Sequence, residues 1–201
     1  MGAYSPAPVV TPASHDKVME EVMRRTVDGM AAEGRPYRGV LYAGLMIDGG
    51  NIKTLEFNAR FGDPETQVIM ARMRSDLVPL LLQGAEGQFG ESKVEWAKDP
   101  AVCVVLASKG YPESSETGKA ITGLESLQKE ANVIVYHAAT SKQEGAIVTV
   151  GGRVLGITAL GSNLDDAVTR AYEAVAKVSF EGMYYRKDIG QKALARLHGP
   201  R

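Results

Sequence analysis

Leu55–Gln67 reads LEFNARFGDPETQ. It begins as a strand and ends as the entry to a helix. Residues two apart on a strand share a face. Glu56, Asn58 and Arg60 therefore point one way, and Leu55, Phe57, Ala59 and Phe61 point the other. The apolar set is assigned to the core. The opposite set lines up a carboxylate, an amide and a guanidinium at about 7 Å per step. A hard divalent cation takes oxygen ligands, and Mg2+ usually takes only one or two from protein, the rest coming from phosphates and water. Glu56 with Asn58 is a pair of that kind, and Arg60 suits a phosphate or carboxylate held beside the ion. Gly62 allows close backbone approach. Asp63-Pro64-Glu65 places carboxylates at a helix start, with Pro64 in the first turn. The same alternation also describes the solvated face of a half-exposed sheet, and spacing alone names no reaction.

The segments on either side give the organisation. VLYAGLMI (40–47), the turn DGGN (48–51) and IKTLEFNA (52–59) predict a β-hairpin. Upstream, Pro6, Pro8 and Pro12 predict an extended loop over 1–13. Ser14 is then set to cap a helix from His15 to about Glu33, with Val18, Val22, Met23, Val27 and Met30 on one face and Gly34 as its stop. Downstream, Ser75-Asp76 opens a helix through LVPLLLQGAEG. QFGESKVEWAKDP (88–100) is polar and irregular, and AVCVVLA (101–107) is a buried strand. A Gly/Ser/Pro loop (108–123) and a strand VIVYHAA (133–139) come next. AIVTV and RVLGITALG flank Gly151-Gly152 and predict a second hairpin. SNLDDAVTRAYEAVAKVSF (162–180) is an amphipathic helix capped by Asn163, with Asp165 and Asp166 in its first turn and Leu164, Val168, Ala171, Tyr172 and Val175 as its core stripe. The class is α+β: a helix–hairpin–helix half, then an antiparallel sheet with one long packing helix.

Composition narrows the function. Twenty-three basic residues against 24 acidic leave a net charge of -1, which gives no basic patch for nucleic acid or an acidic membrane. With 44% hydrophobic and 23% charged residues, the chain is an ordinary globular one. No run reaches the length of a membrane span, and MGAYSPAPVV lacks a signal peptide's regions. Gly2 follows Met1, but Pro6 breaks the myristoylation pattern. The single cysteine, Cys103, rules out an intrachain disulfide and a cysteine metal cluster. Within AVCVVLA it reads as a small buried hydrophobe, and a reducing, cytoplasmic setting fits. His15, His137 and His198 show no ligand spacing.

LEFNARFGDPETQ resembles the signature of glycinamide ribonucleotide synthetase (phosphoribosylamine–glycine ligase), an ATP-grasp enzyme family of purine biosynthesis. MGAYSPAP, YRGVLYAGLM, GGRVLGITALG and YYRKDIG support the resemblance in order along the whole chain. It implies the second half of an ATP-grasp core over 1–87 and a small α+β C-terminal domain over 88–201. It implies Glu56 and Asn58 as ligands of Mg2+ or Mn2+ that bridges the ATP phosphates, and Arg60 as the catalytic contact to the transferred phosphoryl group or acyl phosphate. It places Gly62, Asp63, Pro64 and Glu65 at the border of the glycine and 5-phosphoribosylamine pocket, and Tyr4, Ser5 and Pro6 in a loop near the same site. Arg153 is read as a strand-edge arginine, with a place near the nucleotide or substrate cleft as the alternative that the resemblance implies. Lys187 and Asp188 are read as fixing the C-terminal segment, and Tyr184-Tyr185 as packing.

Two departures qualify that picture. Family members are longer at the N-terminal side, and no G-x-G-x-x-G, Walker-type or phosphate-covering glycine loop occurs here. The chain is therefore expected to be a C-terminal portion that is inactive without its N-terminal half, with self-association through uncovered apolar surface. The alternative is a non-catalytic interaction or complementing module. Second, many wider ATP-grasp relatives carry an additional acid on the first hairpin strand. Here LYAGLMI has none before Asp48.

Overall fold

Gly2–Ser5 lies beside Ala101–Ala107, an antiparallel pairing in which Gly2 faces Val104 and Ser5 faces Ala101. The predicted loop over 1–13 thus contains a strand, β1. Proline ends β1 at Pro6 but leaves the preceding residues free to pair. A Cβ on Gly2 would come within 2.6 Å of the Cys103 carbonyl oxygen and 2.7 Å of Ile189, so only glycine lets β1 lie this close. The computed structural model describes residues 1–88 and 93–199. The irregular stretch 88–100 therefore falls partly outside the described residues.

β1 is the edge of a four-stranded antiparallel sheet, in the order β1, β4 (Ala101–Ala107), β8 (Arg153–Leu160) and β5 (Val133–His137). Every residue of β4 is buried, as its unbroken apolar run requires when both faces are covered. On one face lies α6 (Leu164–Val175), whose Asn163 accepts from the Asp166 amide at 2.9 Å. Its Leu164, Ala167, Val168, Ala171, Ala174 and Val175 are buried and pack in one cluster with Val104, Leu106, Leu155 and Ile157. The other face carries a smaller cluster: Val68 of α3 (Glu65–Arg72), Ala101, Cys103 and Val105. α7 (Gln191–His198) follows the YYRKDIG segment and inserts Ala193 into the core.

The second predicted hairpin is wrong. β8 pairs with β4 and β5, whereas β7 (Ala146–Thr149) pairs with β6 (Thr140–Gln143). Neither Gly151 nor Gly152 has the positive φ that a two-residue hairpin turn demands, and Ser108 engages both carbonyls, through its hydroxyl and its amide at 2.8 Å each. The true turn is Glu144-Gly145, with φ of 47° and 86°.

A second set of elements is built differently. Pro12–Val18 (α1), a π-helical turn Met19–Arg24 and Arg25–Ala32 (α2) run consecutively. The cap is Thr11, not Ser14: Thr11 accepts from the Ser14 amide, and Pro12 occupies the first helical position, where its missing N–H costs nothing. β2 (Tyr42–Asp48) and β3 (Asn51–Asn58) form the predicted hairpin about Gly49 and Gly50, at φ 52° and 82°. α4 (Leu77–Glu86) is capped by Asp76, which accepts from the Val78 amide at 2.9 Å.

These elements group into two compact units that interleave along the chain. The first holds Met1–Pro6, Asp63–Arg72 and Ala97–Arg201; the second holds Ala7–Gly62 and Met73–Trp96. The boundary at 87/88 divides consecutive segments, whereas the spatial units are not consecutive. Among the described residues, every buried apolar side chain belongs to the first unit. Of the described residues of the second unit, only Gly62 and Gly84 are buried. No helix among the described residues is long and apolar enough to cross a membrane.

Candidate functional site

The segment that opens the sequence analysis passes from one unit to the other. Glu56, Asn58, Arg60 and Gly62 belong to the second unit; Asp63, Pro64 and Glu65 belong to the first.

In the second unit, β3 faces Glu56 across from Gly44 and Asn58 across from Tyr42. The two side chains share a face, and the Asn58 amide donates to Glu56 Oε1 at 3.1 Å. Gly44 makes room for this pair, since a Cβ there would lie 3.0 Å from Glu56 Cγ. A bulge falls between Gly44 and Leu45, so the pleat alternates unbroken only from Glu56 onward. Arg60 lies beyond the end of the strand, and its guanidinium turns back to donate to the Phe61 carbonyl at 2.7 Å. The expectation that the apolar face of β3 belongs to the core is also wrong. Leu55 is 64% exposed and Phe57 44% exposed, because no described residue covers that side of a two-stranded sheet.

A carboxylate and an amide oxygen, side by side and open, fit a Mg2+ or Mn2+ ion that draws its other ligands from phosphate and water. No three His, Cys, Asp or Glu side chains gather into a protein-only cage among the described residues. In the state described, the amide nitrogen faces the carboxylate. Presenting both oxygens to an ion requires the Asn58 amide to rotate.

In the first unit, Asp63 leads through a cis peptide bond into Pro64 and the start of α3. Its Oδ1 accepts from Gln67 at 2.9 Å, and its Oδ2 accepts from Arg153 at 3.0 Å. Pro64 is buried. At the other end of α3, Arg72 donates to the Ser5 hydroxyl at 2.7 Å, to the Ala97 carbonyl at 3.0 Å and to the Asp99 carbonyl at 3.2 Å. Burial lowers the pKa of this guanidinium, and three oxygen acceptors offset that cost. Ser5, read in the sequence as part of a site loop, is thus tied down by Arg72. The sequence reading missed Arg72, because a partner 67 residues away leaves no periodic trace.

Burial pushes the Cys103 thiol up to about 11, which makes it an inert core residue. Each histidine has a side-chain partner: His15 with Asp16, His137 with Thr140, and His198 with the distant Asp165. Asp188 is gripped by Arg186, whose hydrogen bond holds its carboxyl below the usual range. Tyr185 packs 6.3 Å from Tyr172, ring centroid to ring centroid.

Comparison with known proteins gives first a fold class and then a family. The biotin carboxylase subunit of pyruvate carboxylase superposes with a TM-score of 0.64 at 16% identity, over 92% of this chain and 40% of that one. This likeness shows the fold. The crystal structure of phosphoribosylamine–glycine ligase from Thermotoga maritima superposes with a TM-score of 0.80 at 40% identity, over 94% of this chain and 46% of that one. Residues 1–66 match the model for the ATP-grasp (A) domain of phosphoribosylglycinamide synthetase, and residues 101–192 match that for its C domain. The phosphoribosylamine–glycine ligase of Vibrio parahaemolyticus is 52% identical over 197 residues, 98% of this chain and 46% of the relative. That of Allochromatium vinosum is 50% identical over the same length, 98% of this chain and 46% of the relative. The fold is α+β of the ATP-grasp kind, and the chain belongs to the phosphoribosylglycinamide synthetase family. It spans about half the length of the curated relatives it matches.

Proposed function

We propose that this chain is the C-terminal part of an ATP-dependent ligase joining glycine to 5-phosphoribosylamine in purine biosynthesis, and that it is inactive alone. The observation that carries the reading is the Glu56–Asn58 pair, facing one way on β3 within a chain about half identical to such ligases over nearly all its length. In this reading 1–87 supply the second part of the ATP-grasp core and 88–201 the C-terminal domain.

Glu56 and Asn58 would hold Mg2+ or Mn2+, which when bound neutralises charge on the ATP phosphates. Arg60 exchanges its bond to the Phe61 carbonyl for the phosphoryl group in transfer. That group passes from ATP to the glycine carboxylate, giving glycyl phosphate and ADP. The phosphoribosylamine nitrogen then attacks the carbonyl carbon, phosphate leaves, and the nitrogen loses a proton. Such chemistry is mostly positioning and charge neutralisation, which these side-chain types can supply. Gly62, Asp63, Pro64 and Glu65 border the glycine and amine.

A second reading, a non-catalytic or complementing module, draws on the open apolar faces of the second unit. Met46, Leu55, Phe57, Val78, Leu81 and Leu82 are all exposed. A sheet face or helix stripe of this kind is normally covered. The N-terminal half of the ligase is the partner we assign to it, with self-association as the competing use of the same surface. The test is ADP release dependent on glycine and phosphoribosylamine, with this chain alone and mixed with the remaining length of a relative. Turnover only in the mixture supports the first reading. Full turnover by this chain alone overturns the inactivity, and none in the mixture overturns the ligase reading.

A further inference from the structure

Arg153 opens β8 directly after Gly151-Gly152. One terminal nitrogen donates both to the Asp63 main-chain carbonyl at 2.6 Å and to the Asp63 carboxylate at 3.0 Å. Its Nε donates to the Tyr111 hydroxyl at 2.9 Å, and the guanidinium carbon lies 5.9 Å from the Tyr111 ring centroid. The Tyr111 ring in turn rests on Gly152, where a Cβ would come within 2.0 Å of it. Gln67, in the first turn of α3, donates to the other carboxylate oxygen. Both oxygens of Asp63 are therefore engaged by the chain's own donors, and three stretches distant in sequence meet at one arginine. The Tyr111 bond, ahead of the Asp63 charge, holds the Arg153 pKa up, so the cation persists at any pH the protein meets.

Resting on the ligase reading above, we propose that Arg153 is a positioning residue for the substrate segment. It fixes Asp63 by carboxylate and carbonyl together, so Asp63 shapes the substrate border through the held path of its main chain and not through a free acid group. The planar fork matters: one nitrogen spans two oxygens of a single residue while Nε is seated on a tyrosine, a geometry lysine cannot reproduce. The remaining terminal nitrogen of Arg153 makes no hydrogen bond among the described residues. Direct contact with a substrate anion is therefore the rival role.

Two measurements separate the tie from the ligase reading. On this chain alone, amide hydrogen exchange over 63–68 reports the tie. Arg153→Gln and Asp63→Asn should each speed exchange about tenfold, the scale of a lost charge-assisted hydrogen bond, and the double variant should be no faster than either single one. Multiplying effects in the double variant overturn the tie. In the chain mixed with the remaining length of a relative, either variant should raise KM for glycine or phosphoribosylamine about tenfold on the same scale, with KM for ATP unchanged and little recovery in Arg153→Lys. A KM unchanged in Asp63→Asn but raised in Arg153→Gln shows the arginine touching substrate itself, and overturns the positioning role. Unchanged KM in both, with only the melting temperature lowered, reduces the pair to a structural one and overturns it equally. Absence of turnover in the unaltered mixture sinks the ligase reading alone, and the exchange result still decides the tie.

Discussion

The two units of this chain satisfy the same physics to different degrees. The first sandwiches β4 and β8 between α6 and α3 and buries every residue of β4. The second has well-formed hydrogen bonding, with a capped helix, a tight hairpin and an Asp76 cap on α4, yet among its described residues no side chain is buried. Secondary structure is thus complete where a core is absent. Local caps and turns write the elements, and burial decides which of them are stable.

That contrast is open to direct attack. The largest expected effect is in the first unit, where Leu106→Ala leaves a cavity in a fully buried strand and should cost about 2–5 kcal/mol in urea unfolding. Its counterpart Phe57→Ala should change stability by less than about 0.5 kcal/mol in the chain alone. A large loss there breaks the comparison. Next, Gly2→Ala should cost about 1–3 kcal/mol by pressing on the Cys103 carbonyl and Ile189. Asn163→Ala should remove about 1 kcal/mol from global unfolding, whereas Thr11→Ala should lower far-UV helicity and leave the main transition in place. The smallest effect is electrostatic. Hydrogen bonds from Arg170 and Ser162 hold the Asp166 carboxyl below its ordinary value. Its contribution is present at neutral pH and is lost as pH falls below about 4 and through that depressed value. Asp166→Asn should lower the melting temperature slightly at neutral pH, and the difference from the unaltered chain should close as pH falls through that depressed value.

Much of the fold was legible because its signals are local. The hairpin at Gly49-Gly50, the helix entry at Asp63-Pro64, the caps Asp76 and Asn163 and the buried run of β4 each rest on a few adjacent residues. The failures are of another kind. Gly151-Gly152 has turn composition, but Ser108, more than forty places earlier, takes its carbonyls. Leu55 and Phe57 alternate like core residues, and alternation cannot say whether a cover is present. At the site, the shared face of Glu56 and Asn58 was readable from a period of two. The turning back of Arg60 and the engagement of Asp63 by Arg153 were not, since they depend on contacts no spacing records.

The pairing of β1 with β4 also sets a timetable. Gly2 finds its partner only when Val104 has been made. At about 5–20 residues per second that interval is on the order of ten seconds. The whole second unit emerges within it, with Leu55, Phe57, Val78 and Leu82 exposed. For that time the growing chain presents those exposed apolar side chains before the four-stranded sheet of the first unit exists. That delay between an exposed apolar surface and a finished core is written into the order of its strands.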